Sequence, residues 1–334
     1  MSNLLLAKPI LPCDFIDTSV GEPHIIRDIL LSIFAISNSD LTHPKIWEYG
    51  DPHGYQPLVS LLENKYQAPV IITNGAKNAL GAAMFALKQM GKDTISLPNP
   101  WWCLLPPLIE MHGLKWNTVY EKCNSHLLVV PNNPNGWMPT SQFIDRFEQE
   151  CKYKNQPIID DAVYNSSIYL PSPVKPFGDA QIYSASKYLG LSSLRVGWIV
   201  CSNQDLYKHM LYYMEHMTVG VSVVSQILLH DLLKGMYNNP TLTKEFEQTA
   251  ASSLKRSKEI MLKVRPEILE IPENLPDVPG MFLWAKVGPA CDFKQAKINV
   301  IDGALFGVPG FVRMNLAFHE AQMIEVVHRL NSIK

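Results

Sequence analysis

Ser184-Ala185-Ser186-Lys187-Tyr188-Leu189-Gly190-Leu191-Ser192-Ser193-Leu194-Arg195-Val196-Gly197-Trp198 sets a lysine where an apolar run gives way to a serine-rich turn, with an arginine eight residues on leading into the next apolar run. Desolvating an ammonium is costly and lowers its pKa, so a lysine settles at a buried strand end only where something uses the amine. A lysine so placed is a candidate for Schiff-base chemistry. The competing reading is a lysine snorkelling out of a surface turn, the commoner fate of an arbitrary lysine.

Around this stretch the chain alternates short β-branched runs with helical ones. The expected strands are 69–73, 94–97, 127–130, 157–160, 181–184 and 196–200, near-continuous apolar segments of the kind buried on both faces of a parallel sheet. Helical stretches at 75–90 and 139–151 lie between them, and helices at about 204–216, 222–234 and 242–264 follow. Short strands at 281–284 and 311–316 and a closing helix at 319–332 then make a smaller α+β unit. The fold class is α/β, with a large domain at 46–236 built on a mostly parallel central sheet flanked by helices. The small α+β domain combines 237–334 with 1–45, a segment too irregular to form a domain alone.

The 334 residues leave room for about two domains and a large core. At 47% hydrophobic and 18% charged, with 25 prolines and 18 glycines in no fixed period, the composition excludes collagen, coiled coil and global disorder. A formal charge of −2 gives no basic excess for nucleic acid or an anionic membrane, so neither is expected as a partner. Cys13, Cys103, Cys123, Cys151, Cys201 and Cys291 show no C-x-x-C and no zinc-finger spacing, and are read as reduced; no metal site is expected. The apolar run Leu4–Ala7 is too short for a signal sequence or a membrane span, which points to the cytoplasm.

The opening stretch resembles the lysine signature S-x-S-K-x-x-G-x-x-x-x-R-x-G of the class I/II aminotransferases, fold-type I enzymes that use pyridoxal 5'-phosphate. The resemblance implies that Lys187 holds the cofactor as an internal aldimine and shuttles a proton, while Ser184 and Arg195 bind its phosphate. Further matches run in the family's order. Asn132-Asn133-Pro134-Asn135-Gly136 resembles N-N-P-T-G, with Asn133 placed to reach the cofactor's phenolic oxygen. Asp161-Ala162-Val163-Tyr164 is similar to D-x-x-Y, which implies Asp161 at the pyridinium nitrogen and Tyr164 at the phenolic oxygen. Asp160 is read as a neighbour turned away from the ring, or a helix cap. Thr73-Asn74-Gly75-Ala76-Lys77-Asn78-Ala79-Leu80 resembles T-N-G-A-Q-x-A-L, whose Gly75, Ala76 and Lys77 N–H groups would meet a phosphate at a helix N-terminus.

Asn99-Pro100-Trp101-Trp102 resembles P-x-W, setting Trp102 on the pyridine ring and leaving Trp101 to packing. Tyr49 with Gly54 and Leu58 resembles Y-x-x-x-x-G-x-x-x-L, whose tyrosine reaches the phosphate of the other subunit, which implies a homodimer with shared sites. Arg313, inside the apolar strand Phe311–Leu316, is similar to the arginine that grips the substrate α-carboxylate, with Asn133 beside it. Gly21 in Val20-Gly21-Glu22-Pro23 resembles the glycine whose backbone approaches the substrate.

The implied activity is transamination between an α-amino acid and a 2-keto acid. His216-Met217-Thr218-Val219-Gly220, the loop that carries a second arginine in dicarboxylate-specific relatives, has neither arginine nor lysine. An uncharged side chain is therefore expected, in a pocket formed by that loop, Trp102 and Ile25. Two alternatives stand beside transamination. One is β- or γ-elimination on the same cofactor, as in carbon–sulfur lyases or the cyclopropane-forming synthase. The other is a non-catalytic ligand sensor, for which no helix-turn-helix precedes the motifs.

Overall fold

The computed structural model describes residues 12, 14–34 and 44–333. The Leu4–Ala7 run and Cys13 lie outside them. The chain begins with β1 (Ile16–Asp17), α1 (His24–Ile33), α2 (Gln56–Tyr66), β2 (Val70–Thr73), α3 (Gly75–Gln89), β3 (Thr94–Ser96), α4 (Leu105–Met111) and β4 (Lys115–Asn117). It continues with β5 (Ser125–Val129), α5 (Ser141–Tyr153), β6 (Ile158–Asp161), β7 (Ala180–Ser184), α6 (Ala185–Tyr188), β8 (Gly197–Cys201), α7 (Gln204–Thr218) and α8 (Val223–Asn238). The last part runs α9 (Pro240–Met261), β9 (Leu269–Glu270), β10 (Phe282–Val287), β11 (Ile298–Asn299), β12 (Ile301–Asp302), β13 (Phe311–Asn315) and α10 (Glu320–Asn331).

The seven-stranded sheet has the order β2-β8-β7-β6-β5-β3-β4. Its pairs are parallel from β7 outward to β4, while β8 runs antiparallel to both β7 and β2. The sheet is thus mixed and mostly parallel, as the α/β reading of the sequence expects. Strands β2, β5, β6, β7 and β8 are buried at every position, as expected of mainly apolar strands covered on both faces, with polar residues such as Asp160, Asp161 and Gln181 buried among them. The four-stranded sheet, order β12-β13-β10-β9, is antiparallel.

Local chemistry sets the helix starts. Thr140 caps α5 by accepting from Phe143 N–H, Asn203 caps α7 from Asp205 and Leu206 N–H, and Pro240 opens α9 where its missing N–H costs nothing. The N-terminal segment is not irregular throughout: β1 pairs in parallel with β11, and α1 packs on α9. Most of the apolar interior forms one cluster, with a smaller one under α5 that includes Leu128, Ile144, Phe147, Ile158 and Phe177.

Candidate active site

A cavity of about 640 Å³ opens beyond the C-terminal ends of β6 and β7, where the four-stranded sheet faces them. Ligands of α/β sheets collect at such strand ends. Lys187 stands on α6, a single helical turn that Ser184 starts by accepting from Ser186 N–H at 3.2 Å. Its carbonyl accepts from the Tyr169 hydroxyl at 2.7 Å, and its Nζ donates to the Gly21 carbonyl. Burial, helped by the Arg313 charge, lowers the Lys187 pKa to about 8.

Asp161 ends β6 with 4% of its surface exposed. Burial pushes its pKa up to about 7, against the opposing pull of the Val163 N–H and of Lys187. Its Oδ1 has no hydrogen-bond partner among the described residues. Tyr164 packs edge-on to Tyr169 and Phe282, and burial raises its hydroxyl pKa.

Arg313, in the middle of β13, is buried and its pKa lowered by desolvation. It donates to Asn133 Oδ1 at 3.1 Å and to the Ser19 carbonyl at 2.7 Å, while its Nε has no partner among the described residues. The guanidinium carbon lies 4.3 Å from the Phe282 ring centre and 5.2 Å from that of Phe306, an aromatic sandwich suited to a planar cation. An arginine held this way keeps donor capacity for an anion entering the cavity.

At the start of α3, Asn74 gives no side-chain cap, so the first-turn N–H groups remain donors. Gly75 adopts φ +75°, and a Cβ there would stand 2.5 Å from Arg195 Nη2. Gly197 is equally confined, with the Gly75 carbonyl carbon 2.8 Å and Ala76 N 2.9 Å from where its Cβ would be. Arg195, itself at φ +51°, donates to the Ser192 carbonyl at 3.1 Å. Lys77, whose pKa burial and Arg195 lower, adds a second cation.

The cavity is lined by Gly21, Ala76, Lys77, Trp102, Asn133, Asp161, Tyr164, Ser184, Lys187, Arg195 and Arg313, so most of the residues singled out in the sequence meet there. Gly75 abuts it beneath Arg195. Tyr49 does not line it and is 92% exposed. Two expectations are corrected. Ile25 is buried in the main core instead of lining the pocket, because it is on the inward face of α1. Asp160 is absent from the cavity wall, in keeping with a neighbour turned away from it, but it caps no helix: it is 1% exposed and neither carboxyl oxygen has a partner among the described residues. Within this single chain His216 stacks on Tyr212 at 4.0 Å and is not in the cavity wall.

Phe282, Phe306 and Asn315 were not anticipated. Asn315 Nδ2 donates to the carbonyls of Val20 and Glu22 at 2.9 and 2.8 Å, holding Gly21 against Lys187. Its signal was a polar residue two positions after Arg313 in an apolar strand, hence on the same face.

Residues 30–330 match the family model described as aminotransferase class I and II. An aspartate aminotransferase of Thermotoga maritima is 24% identical over 328 residues, covering 85% of this chain and 82% of the relative. A probable aspartate/prephenate aminotransferase of Aquifex aeolicus is 22% identical, covering 81% and 77%. In fold, the chain is similar to an aromatic aminotransferase of Pyrococcus horikoshii, with a TM-score of 0.76 at 15% identity over 96% of this chain and 95% of the other. With the family match spanning nearly the whole chain, the protein belongs to the class I and II aminotransferases, pyridoxal 5'-phosphate-dependent transaminases of fold type I.

Proposed function

We propose that this cavity transfers the amino group of an α-amino acid with an uncharged side chain to a 2-keto acid, with Lys187 as the cofactor-bearing and proton-moving residue. The observation that carries the reading is the Lys187 amine, buried and lowered to about 8, in the same cavity as the unpartnered Asp161 oxygen. An amine near neutrality can lose and regain a proton during turnover.

The residues suit a phosphorylated pyridine. Gly75, Ala76 and Lys77 at the α3 N-terminus, with Arg195 and Ser184, would hold the phosphate; Gly75 and Gly197 leave room where a Cβ would collide. Asp161 would serve a protonated ring nitrogen, Asn133 and Tyr164 the phenolic oxygen, and Trp102 the ring face. Bound there, the cofactor supplies an electron sink that makes the substrate's Cα proton labile. Arg313 would take the α-carboxylate, with the Gly21 backbone alongside, and the Lys187 Nζ would accept and return the proton.

The uncharged preference rests on Trp102, Cys103, Leu104, Val300, Ile301 and Leu305 in the wall, and on Lys77 lying within the field of Arg195, where a phosphate would occupy it. The Thermotoga and Aquifex relatives are named for aspartate, so aspartate is the control substrate. The functional unit would be a homodimer in the cytoplasm, with Tyr49 reaching the partner's phosphate. Its 92% exposure in the single chain supports the contact. No helix among the described residues is long and apolar enough to cross a membrane. The large domain would span 46–236 and the small one 1–45 with 237–334, the boundary falling at the C-terminal end of α8, from which α9 leads away.

The test is the absorbance of the protein with pyridoxal phosphate before and after single amino acids. A Lys187-linked band that converts to the pyridoxamine form, with matching keto acid, is expected for uncharged donors and weakly for aspartate. Ammonia and keto acid without pyridoxamine would move the assignment to elimination, and no band would overturn the role of Lys187.

A further inference from the structure

A second cavity, of about 290 Å³, lies behind the first and touches it only at Val163 and Ser184. Its walls are aromatic. Tyr183 and Trp198, partners across β7 and β8 with rings stacked 5.8 Å apart, close one side, and Tyr66, Tyr188 and Tyr237 complete it. The volume is at the lower end for ligand pockets and suits a molecule of amino-acid size.

The charged groups in its wall are of both signs. Ser166 Oγ and Trp198 Nε1 line the cavity; Ser166 Oγ has no hydrogen-bond partner among the described residues, and Trp198 Nε1 has only the Tyr66 hydroxyl beside it, outside good hydrogen-bond geometry. Trp198 is 3% and Ser166 9% exposed, so water reaches them poorly. Lys65 has its Nζ 4.8 Å from the Tyr237 ring centre and 5.5 Å from that of Tyr66, and it feels the attraction of Glu247 across the cavity without a contact ion pair among the described residues. Glu247 accepts from the Tyr188 hydroxyl at 2.7 Å and from Ser167 Oγ at 2.5 Å. A simple anion would be repelled by Glu247, a simple cation by Lys65, and a purely apolar molecule would leave the buried Ser166 hydroxyl unmet. A zwitterion with a flat apolar body satisfies all three conditions.

We propose that this cavity is a binding site for a free aromatic α-amino acid, its carboxylate toward Lys65, Ser166 and Trp198 and its ammonium toward Glu247. The site is distinct from the one that holds Lys187, yet adjoins it, since Tyr188 follows Lys187 in sequence and shares Glu247 with any ligand there.

The experiment is isothermal titration of L-phenylalanine and L-tryptophan into the borohydride-reduced holoenzyme, in which amino transfer is blocked. Wild-type protein is expected to bind at least one of them with a Kd near or below about 1 mM. Lys65→Met, a change at an exposed position, should weaken that binding roughly tenfold or more, and Ser166→Val should weaken it independently, with unchanged thermal melts showing that both fold. Arg313→Lys should leave it in place. No binding up to about 10 mM, or binding lost in Arg313→Lys and indifferent to Lys65→Met, overturns the proposal. A protein with no reducible linkage counts against the reading of Lys187 alone, and the same titration then runs on the untreated chain.

Discussion

Asp160 and Asp161 are neighbours on β6, both almost completely buried, and the two faces of the sheet treat them in opposite ways. Asp161 looks into the large cavity, where the Val163 N–H and the Lys187 charge favour its ionised form. Asp160, one residue earlier and so on the other face, has Leu128 beside it in register and feels only the like charges of Asp161 and Glu148. Desolvation raises both pKa values, but only Asp161 has anything to set against it. Burial therefore does not make a functional carboxylate. The arrangement of donors and cations around it does, and Lys187 is the same argument with the sign reversed.

The strongest way to break this comparison is at the cation. Lys187→Ala should lower turnover by at least about 10³-fold, as loss of both the attachment point and the proton carrier requires, while non-covalent cofactor binding survives in equilibrium dialysis. Near-normal turnover in that variant would remove the basis for the whole front-face reading. Next comes the aspartate pair itself. Asp161→Asn should reduce kcat by about 10²-fold or more and weaken cofactor binding, whereas Asp160→Asn should leave kcat within about twofold. Because Asp160 is buried without a partner, its amide variant is also expected to unfold at equal or higher denaturant concentration. Equal losses from both substitutions would show that the faces are not functionally distinct.

Much of the front face could be read from residue order. Lys187, Asp161 and the Gly75 turn each sit where an apolar run ends, and the sheet brings such ends together. What sequence did not yield was either short or depended on tertiary contacts. Strand β4 is three residues long, and β1 and β11 are two each. Helix α1 did carry a signal, since Ile25, Ile26, Ile29 and Leu30 recur at helical spacing, but it lay in a segment set aside as irregular. The aromatic sandwich on Arg313 draws Phe282 and Phe306 from separate elements, and no local pattern links them. Asp160 and Asp161 are alike in sequence. Their difference follows from strand alternation together with which face the cations occupy.

A smaller effect is expected at the other cation of the cavity. Arg313→Lys keeps the charge but loses the planar fork that Asn133, Ser19 and the two phenylalanines hold. The amino-acid KM should rise about tenfold or more with a lesser change in kcat, read from half-reaction rates against substrate concentration. A fall in kcat at constant KM would instead assign Arg313 to the chemical step.

The pH dependence of stability separates the two carboxyls most finely. In the cofactor-free protein burial pushes the Asp161 pKa up to about 7, while in the unfolded chain it has the ordinary aspartate value of 3.8. Between those values the native state holds a proton that the unfolded state has lost, so the stabilisation is full below about 3.8 and declines as pH rises through about 7. One such proton corresponds to a slope of about 1.4 kcal/mol per pH unit. Asp161→Asn should remove that slope between about 3.8 and 7, leaving the share of Asp160, whose carboxyl is also raised by burial and by the like charges of Asp161 and Glu148 and whose slope therefore has the same sign. Denaturant midpoints of wild type, Asp160→Asn and Asp161→Asn across this range measure both shares. If the two variants flatten the curve over the same pH span, the cavity gives Asp161 no electrostatic relief that the back of the sheet withholds from Asp160.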